Sequence, residues 1–256
     1  MQQNTDASLP DLESFQLLET LQEAPPYVID VFLSNQAFGT NTNCSFDLFG
    51  EPFEPNTFIK TKLLPAFENA ASVLAHLLIH QENLAERLGL SPLTEAWELD
   101  VTLVNDEEMQ TLNKLYREKN QSTDVLTFTL FAESGEMQPI LANLPFIQLG
   151  SIFISLEWAL SESQRLMANG LSFIPKEDDG SQENVLLEKQ PKLDHTITIC
   201  LEDVLIQYGT TRWIHGLLHL VGINHDTMEE YNQVVALQNQ VLYEVFSSPI
   251  QTIDYQ

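Results

Sequence analysis

Residues 215–226 read HGLLHLVGINHD, which puts three of the six histidines of the 256-residue chain within eleven positions. His215 and His219 are four apart, a spacing that in a helix sets both imidazoles on one face, one turn apart and close enough to share a cation. Gly222 follows three residues later and can take the left-handed conformation that ends a helix, letting the chain fold back so that His225 approaches the same ion. Three nitrogen ligands then leave one position open. That is the catalytic arrangement for zinc, in which bound water ionises near pH 7, whereas a structural zinc is normally closed by four ligands. Three imidazoles also accept nickel or copper.

The same spacing occurs in metzincin proteases, with one difference. Those enzymes carry Glu directly after the first histidine as general base, and this chain has Gly216. Peptide hydrolysis by the usual route is therefore disfavoured. A second pair at helical spacing, His76 and His80, lacks both a third ligand and a turn glycine, and reads as ordinary surface or core chemistry. His195 lies in a polar stretch and reads as solvated.

Charge bears on the substrate. With 37 acidic against 11 basic residues the formal net charge is -26, which favours solubility and repels polyanions and anionic membranes. Binding to a phosphate backbone is set by the local patch, since salt screens charges beyond roughly 8 Å. One such patch exists in LNKLYREKN, where Lys114, Arg117 and Lys119 fall within six residues. Cys44 and Cys200 stand apart with no C-x-x-C, so neither a disulfide framework nor a thiolate metal site is expected. No apolar run approaches the roughly 18 residues of a membrane span. The N-terminal stretch has neither the basic nor the apolar region of a secretory signal, and the expected location is the cytoplasm.

Working outward from the histidines, apolar periodicity predicts a helix over 201–221, open to interruption at Gly209-Thr210-Thr211. A capping box of Asp226 with Glu229 should start a final helix whose apolar face is Met228, Tyr231, Val234, Val235, Val241, Leu242 and Val245. Upstream, four strands are predicted at Tyr27–Leu33, Trp97–Val104, Val125–Leu130 and Ile147–Ser155. A helix capped by Asn105 and Glu108 should run to Arg117, and another, bearing Trp158 and Leu166, should end near Gly170. The stretch 57–88 reads as helix with a kink or break at Pro65. Residues 1–26 hold five acidic and no basic residues and are expected to be a disordered arm. The class is α+β: one domain over 27–247, a polar insertion at about 171–193, and a tail over 248–256.

Three segments carry a resemblance. HGLLHLVGINH resembles the H-G-x-L-H-L-x-G-aromatic-D-H signature of the YbeY family of ribosomal-RNA-maturation endoribonucleases. LNKLYREKNQSTDVLTF resembles that family's L-N-x-x-[YF]-R…T-D-V-L-S-F segment, and LGSIFIS its L-G-D-I-x-I-S segment. They occur in the family's order and cover about 99–246. The resemblance implies a zincin-like mixed sheet of about four strands packed with helices. It also implies one metal ion, zinc, held by His215, His219 and His225, and hydrolysis of single-stranded RNA. Arg117 matches the family's important arginine, as a catalytic residue facing the phosphate, and bidentate guanidinium binding suits a scissile phosphodiester. Thr123 and Asp124 match the T-D pair, which also serves to turn the chain into a strand. Two departures stand out. Ser151 replaces Asp, and Ile223-Asn224 replaces the aromatic-Asp pair, so Asn224 keeps a carbonyl acceptor but loses charge. Asp226 could act as the supporting partner instead.

The expected function is thus a metal-dependent, single-strand-specific endoribonuclease in ribosomal RNA maturation and ribosome quality control. RNA precursors, and ribosomal proteins as further contacts, are the expected partners, with no membrane. Two alternatives are a zinc hydrolase of a non-nucleic-acid substrate and a non-catalytic ribosome-assembly factor.

Overall fold

The computed structural model describes residues 15–21, 27–34, 55–80, 96–129, 146–171, 199–246 and 249–250. The polar insertion, His195 and Cys44 lie outside them. Five strands form one mixed sheet in the order β1-β2-β3-β5-β4: β1 (Phe15–Leu21), β2 (Tyr27–Ser34), β3 (Ala96–Val104), β4 (Val125–Thr129) and β5 (Phe146–Ser155). The central pairs β2–β3 and β3–β5 are parallel, and β1 and β4 join the two edges antiparallel. The four predicted strands are all present.

The fifth strand is a correction. Residues 15–21 fall inside the acidic arm expected to be disordered, yet they pair with β2 from Phe15↔Ser34 to Leu21↔Ile29. Acidic composition misleads here because an antiparallel strand draws its hydrogen bonds from the backbone of its neighbour. The tail also contributes: Ile250 is buried in the core, and its N–H donates to Gln207 Oε1 at 2.8 Å.

Alternation along the strands divides the sheet into two faces. One face carries Val31, Val101, Leu103, Ile152 and Ile154, and buries them in the main core. Among the described residues five helical segments supply that core, α1 (Pro55–Phe58), α2 (Leu64–His80), α4 (Leu156–Asn169), α5 (Leu201–Leu220) and α6 (Met228–Val245), while α3 (Asp106–Arg117) lies on the opposite face. There Met109 and Leu112 of α3 pack on Val104 and Leu126.

A π-helical turn, Ile59–Leu63, joins α1 to α2. It ends two residues before Pro65, whose missing N–H and bulky ring are incompatible with a regular α-helical register at that point. The predicted kink is therefore a change of helical register. The predicted interruption at Gly209-Thr210-Thr211 is absent, and α5 runs unbroken. Gly209 is small for packing: an added Cβ would meet Leu63 Cδ1 at 3.1 Å. One turn on, Trp213 is fully buried, stacks on Phe67 at 5.4 Å, and donates its Nε1–H to the Phe67 carbonyl at 3.0 Å. These contacts fix α5 against α2, and with it the two histidines that follow.

Candidate metal and phosphate site

The last turns of α5 lie over β5, and Gly216 is where they touch. A Cβ on Gly216 would come within 2.9 Å of Ile152 Cγ2. The position after the first histidine therefore faces packed sheet, and a glutamate there has no room. His215 and His219, on the neighbouring face of the helix, converge with Nε2 atoms 3.1 Å apart.

The turn after α5 brings the third histidine. Gly222 has φ 87, in the left-handed region. Its N–H bonds to the His219 carbonyl at 3.0 Å, and that of Ile223 bonds to the Leu218 carbonyl at 2.9 Å. This pair of bonds is the Schellman motif, which ends a helix and reverses the chain. Ile223 and Leu218 are both buried, supplying the apolar contact that accompanies the motif. His225 thereby returns with its Nε2 at 3.4 Å from that of His215. All three ligand atoms lie within 4.8 Å of one another.

The next residues open α6. The predicted box of Asp226 with Glu229 is shifted by one: Thr227 caps the helix and Glu230 completes the box. Thr227 has an extended backbone and a hydroxyl aimed at the Glu230 N–H, the geometry an N-cap needs. Asp226 is exposed, and its backbone N–H donates to Glu230 Oε2 at 3.0 Å. Met228, expected on the apolar face, is 63% exposed in the first turn, while Val234, Leu237, Val241 and Leu242 are buried. Tyr231 packs edge-on to the His225 ring at 5.5 Å.

Asn224 takes the supporting place that Asp226 was offered. Its Oδ1 lies 3.0 Å from His219 Nδ1. An amide oxygen can only accept, so Nδ1 carries the proton and the neutral ring turns an unprotonated Nε2 toward the other histidines. Burial pushes the His219 pKa below its ordinary value; the Asn224 bond opposes this, and the His225 and Arg117 charges add to the lowering. The donor set fits a transition-metal ion. Nitrogen ligands at 2.0–2.1 Å in a tetrahedral shell lie about 3.3 Å from one another, close to the spacing found here. Several imidazole nitrogens facing one another cannot all be satisfied by sharing protons, whereas one cation meets every lone pair.

Arg117 is exposed, the last residue of α3, with its charge in electrostatic reach of His219. Glu118 follows in the left-handed conformation, φ 59, and starts the loop to β4. Asn113, buried on α3, fixes that loop: its Nδ2 donates to the Gln121 carbonyl at 2.8 Å, and its backbone carbonyl accepts from the Lys119 N–H at 3.3 Å. Ser122 Oγ donates to Asp106 Oδ1 at 3.0 Å, and Ser155 Oγ donates to the same oxygen at 2.6 Å. Thr123 Oγ1 donates to Asp124 Oδ1 at 3.1 Å, and Asp124 Oδ2 lies 3.1 Å from Nε of Arg212, on α5 one turn before His215. Thr123 and Asp124 thus act through the turn and through Arg212. Sequence reasoning missed Arg212 and Asn113. A lone arginine within an apolar helix, and an asparagine on an inward stripe, were the available signals.

Comparison with known proteins identifies the family. A family model described as Endoribonuclease YbeY matches residues 66–176, which span Arg117, Thr123 and Asp124 and end before the histidines. The Endoribonuclease YbeY of Geobacillus kaustophilus is 31% identical over 160 residues, 62% of this chain and 80% of that protein. This chain belongs to the YbeY family. The YbeY proteins of Bacillus licheniformis and Bacillus subtilis are 29% and 26% identical over 149 and 185 residues, covering 70% and 93% of those proteins. Among the described residues, no helix is long and apolar enough to cross a membrane.

Ser151 is one of the positions at which the sequence departs from the segment it resembles. Strand register sets Ser151 beside Asp100, which is itself beside Asp30. A carboxylate at 151 would extend a row that already raises the Asp100 pKa, through burial first and then the charges of Asp30 and Glu98.

Proposed function

We propose that this chain is a metal-dependent endoribonuclease that cleaves single-stranded RNA in ribosomal RNA maturation and ribosome quality control, in the cytoplasm, with zinc as its ion. The observation that carries the reading is the convergence of His215, His219 and His225 within 4.8 Å, with the Arg117 charge acting on the same cluster. The three imidazoles would hold the ion, which when bound supplies Lewis-acid activation of water and of the phosphodiester. Asn224 orients His219 for that purpose. Arg117 would grip the phosphate through paired N–H donors and offset the charge that develops as the bond breaks. Lys114 and Lys119 add local attraction for the backbone in a chain that is otherwise strongly acidic. Ile152 beneath Gly216 argues against a peptidase, because a general base has no place after the first histidine.

The test is cleavage of a single-stranded ribosomal RNA fragment by purified protein, with metal content measured on the same sample. His219→Ala should lose both bound metal and cleavage, and Arg117→Ala should lose cleavage while keeping its metal. Unchanged cleavage in His219→Ala overturns the reading. A cyclic phosphate at the product end would identify the ribose hydroxyl as the nucleophile, and its absence would identify water.

A further inference from the structure

The inward stripe of α3 runs through Met109, Leu112 and Asn113, all buried, and its next member is Tyr116. Tyr116 is 55% exposed. Its ring rests on Phe128 of the edge strand β4, with centroids 4.8 Å apart, and Phe128 in turn meets Phe153 at 5.6 Å. An aromatic ring is thus held by Phe128, itself backed by Phe153, and left open to solvent. It stands directly before Arg117, and between Lys114 and Lys119 in sequence. An open, supported aromatic ring in the chain's densest basic stretch combines what a single nucleic-acid strand binds: charge tracks the backbone and the ring receives a base. An unpaired base has a free face to stack, whereas a base in a duplex is already covered on both sides.

We propose that Tyr116 is a stacking platform for one unpaired base of single-stranded RNA, next to the phosphate gripped by Arg117. This assignment rests on the endoribonuclease reading and adds to it a physical basis for preferring single strands. Stacking on an aromatic side chain corresponds to roughly ten- to hundredfold in affinity, so the effect is large enough to measure.

The experiment combines binding and cleavage. Affinity is read by fluorescence polarisation with a short single-stranded DNA, which lacks the ribose hydroxyl, and KM and kcat are read with the matching RNA. Tyr116→Leu, which still covers Phe128, should weaken binding and raise KM roughly tenfold or more at nearly constant kcat, while Tyr116→Trp keeps both. Melting temperature and zinc content should match those of the unsubstituted protein. An RNA series carrying one abasic nucleotide at successive positions should reveal one position where base removal weakens the unsubstituted protein and leaves Tyr116→Leu indifferent. Equal binding by Tyr116→Leu, or no such position, overturns the platform while leaving the nuclease intact. Failure of the unsubstituted protein to bind or cleave any RNA instead overturns the endoribonuclease reading. Loss of association with a protein partner at unchanged RNA binding would assign Tyr116 and exposed Leu115 to a protein contact, and overturns the platform.

Discussion

Asp124 Oδ2 lies 3.1 Å from Arg212 Nε, an ion pair that ties the turn behind Arg117 to the helix bearing His215 and His219. The Arg212 side chain is 5% exposed and that of Asp124 23%, and the guanidinium also lies over the Tyr208 ring at 4.8 Å from its centroid. The arginine proposed to grip phosphate and the histidines proposed to hold metal come from distant parts of the chain, and this pair is a direct link between their supports.

Removing one partner should cost more than removing both. Asp124→Ala removes a charge partner of a buried guanidinium, and we expect a loss of about 3 kcal/mol, the low end for buried pairs because Asp124 is partly solvated. Arg212→Met combined with Asp124→Ala should recover much of that loss. Urea unfolding measures both, and a single variant as stable as the unsubstituted protein contradicts the role given to the pair.

Gly216→Ala should destabilise by about 1–3 kcal/mol through overpacking against Ile152. In a double-mutant cycle with Ile152→Ala, the two changes should be less than additive by at least about 0.5 kcal/mol, because the second relieves the clash made by the first. Additive losses would place the cost elsewhere. Gly216→Glu, which restores the protease pattern in sequence, should fail to fold rather than acquire peptidase activity.

Asn224→Ala should lower metal affinity by about 10–100-fold, the usual effect of losing a ligand's outer hydrogen bond. Asn224→Asp, which adds a negative charge behind His219, should bind metal at least as tightly as Asn224. Competition against a chromogenic chelator reports both affinities, and an unaltered Ala variant would remove Asn224 from the site.

Asp100 provides a pH test. Its folded-state pKa is raised above 3.8 by burial and by Asp30 and Glu98, so the native state holds the proton more tightly than the unfolded chain does. The stabilisation from that proton is complete below 3.8 and is lost as pH rises through the raised value, leaving an unfavourable carboxylate at neutral pH. Asp100→Asn should therefore be more stable than the unsubstituted protein at pH 7, with the difference closing toward pH 3.8. Unfolding midpoints across that range would show a constant gap if the carboxylate were not responsible.

What was legible in the sequence was local. The histidine spacing and the turn glycine foretold the convergence of His215, His219 and His225, because helix periodicity and a left-handed turn are short-range geometry. The capping box of Asn105 and Glu108 is present for the same reason. The unread parts depend on contacts between distant segments. Arg212 gains its meaning only when Asp124 is brought to it, Gly216 only when Ile152 lies beneath it, and β1 only when β2 offers a backbone to pair with. Met228 failed as a core residue because helical periodicity assigns a face without saying where along the helix the covering layer begins.

β1 also carries a consequence for handling the chain. With Phe15–Leu21 in place, the parallel strand β2 is an interior strand of the sheet. Proteolysis or truncation ahead of Tyr27 would expose one whole side of β2 as unpaired amides and carbonyls, a template on which another chain can add. A preparation shortened to remove the acidic segment would then invite edge-to-edge aggregation, and the short N-terminal strand is better regarded as the seal on one rim of the sheet.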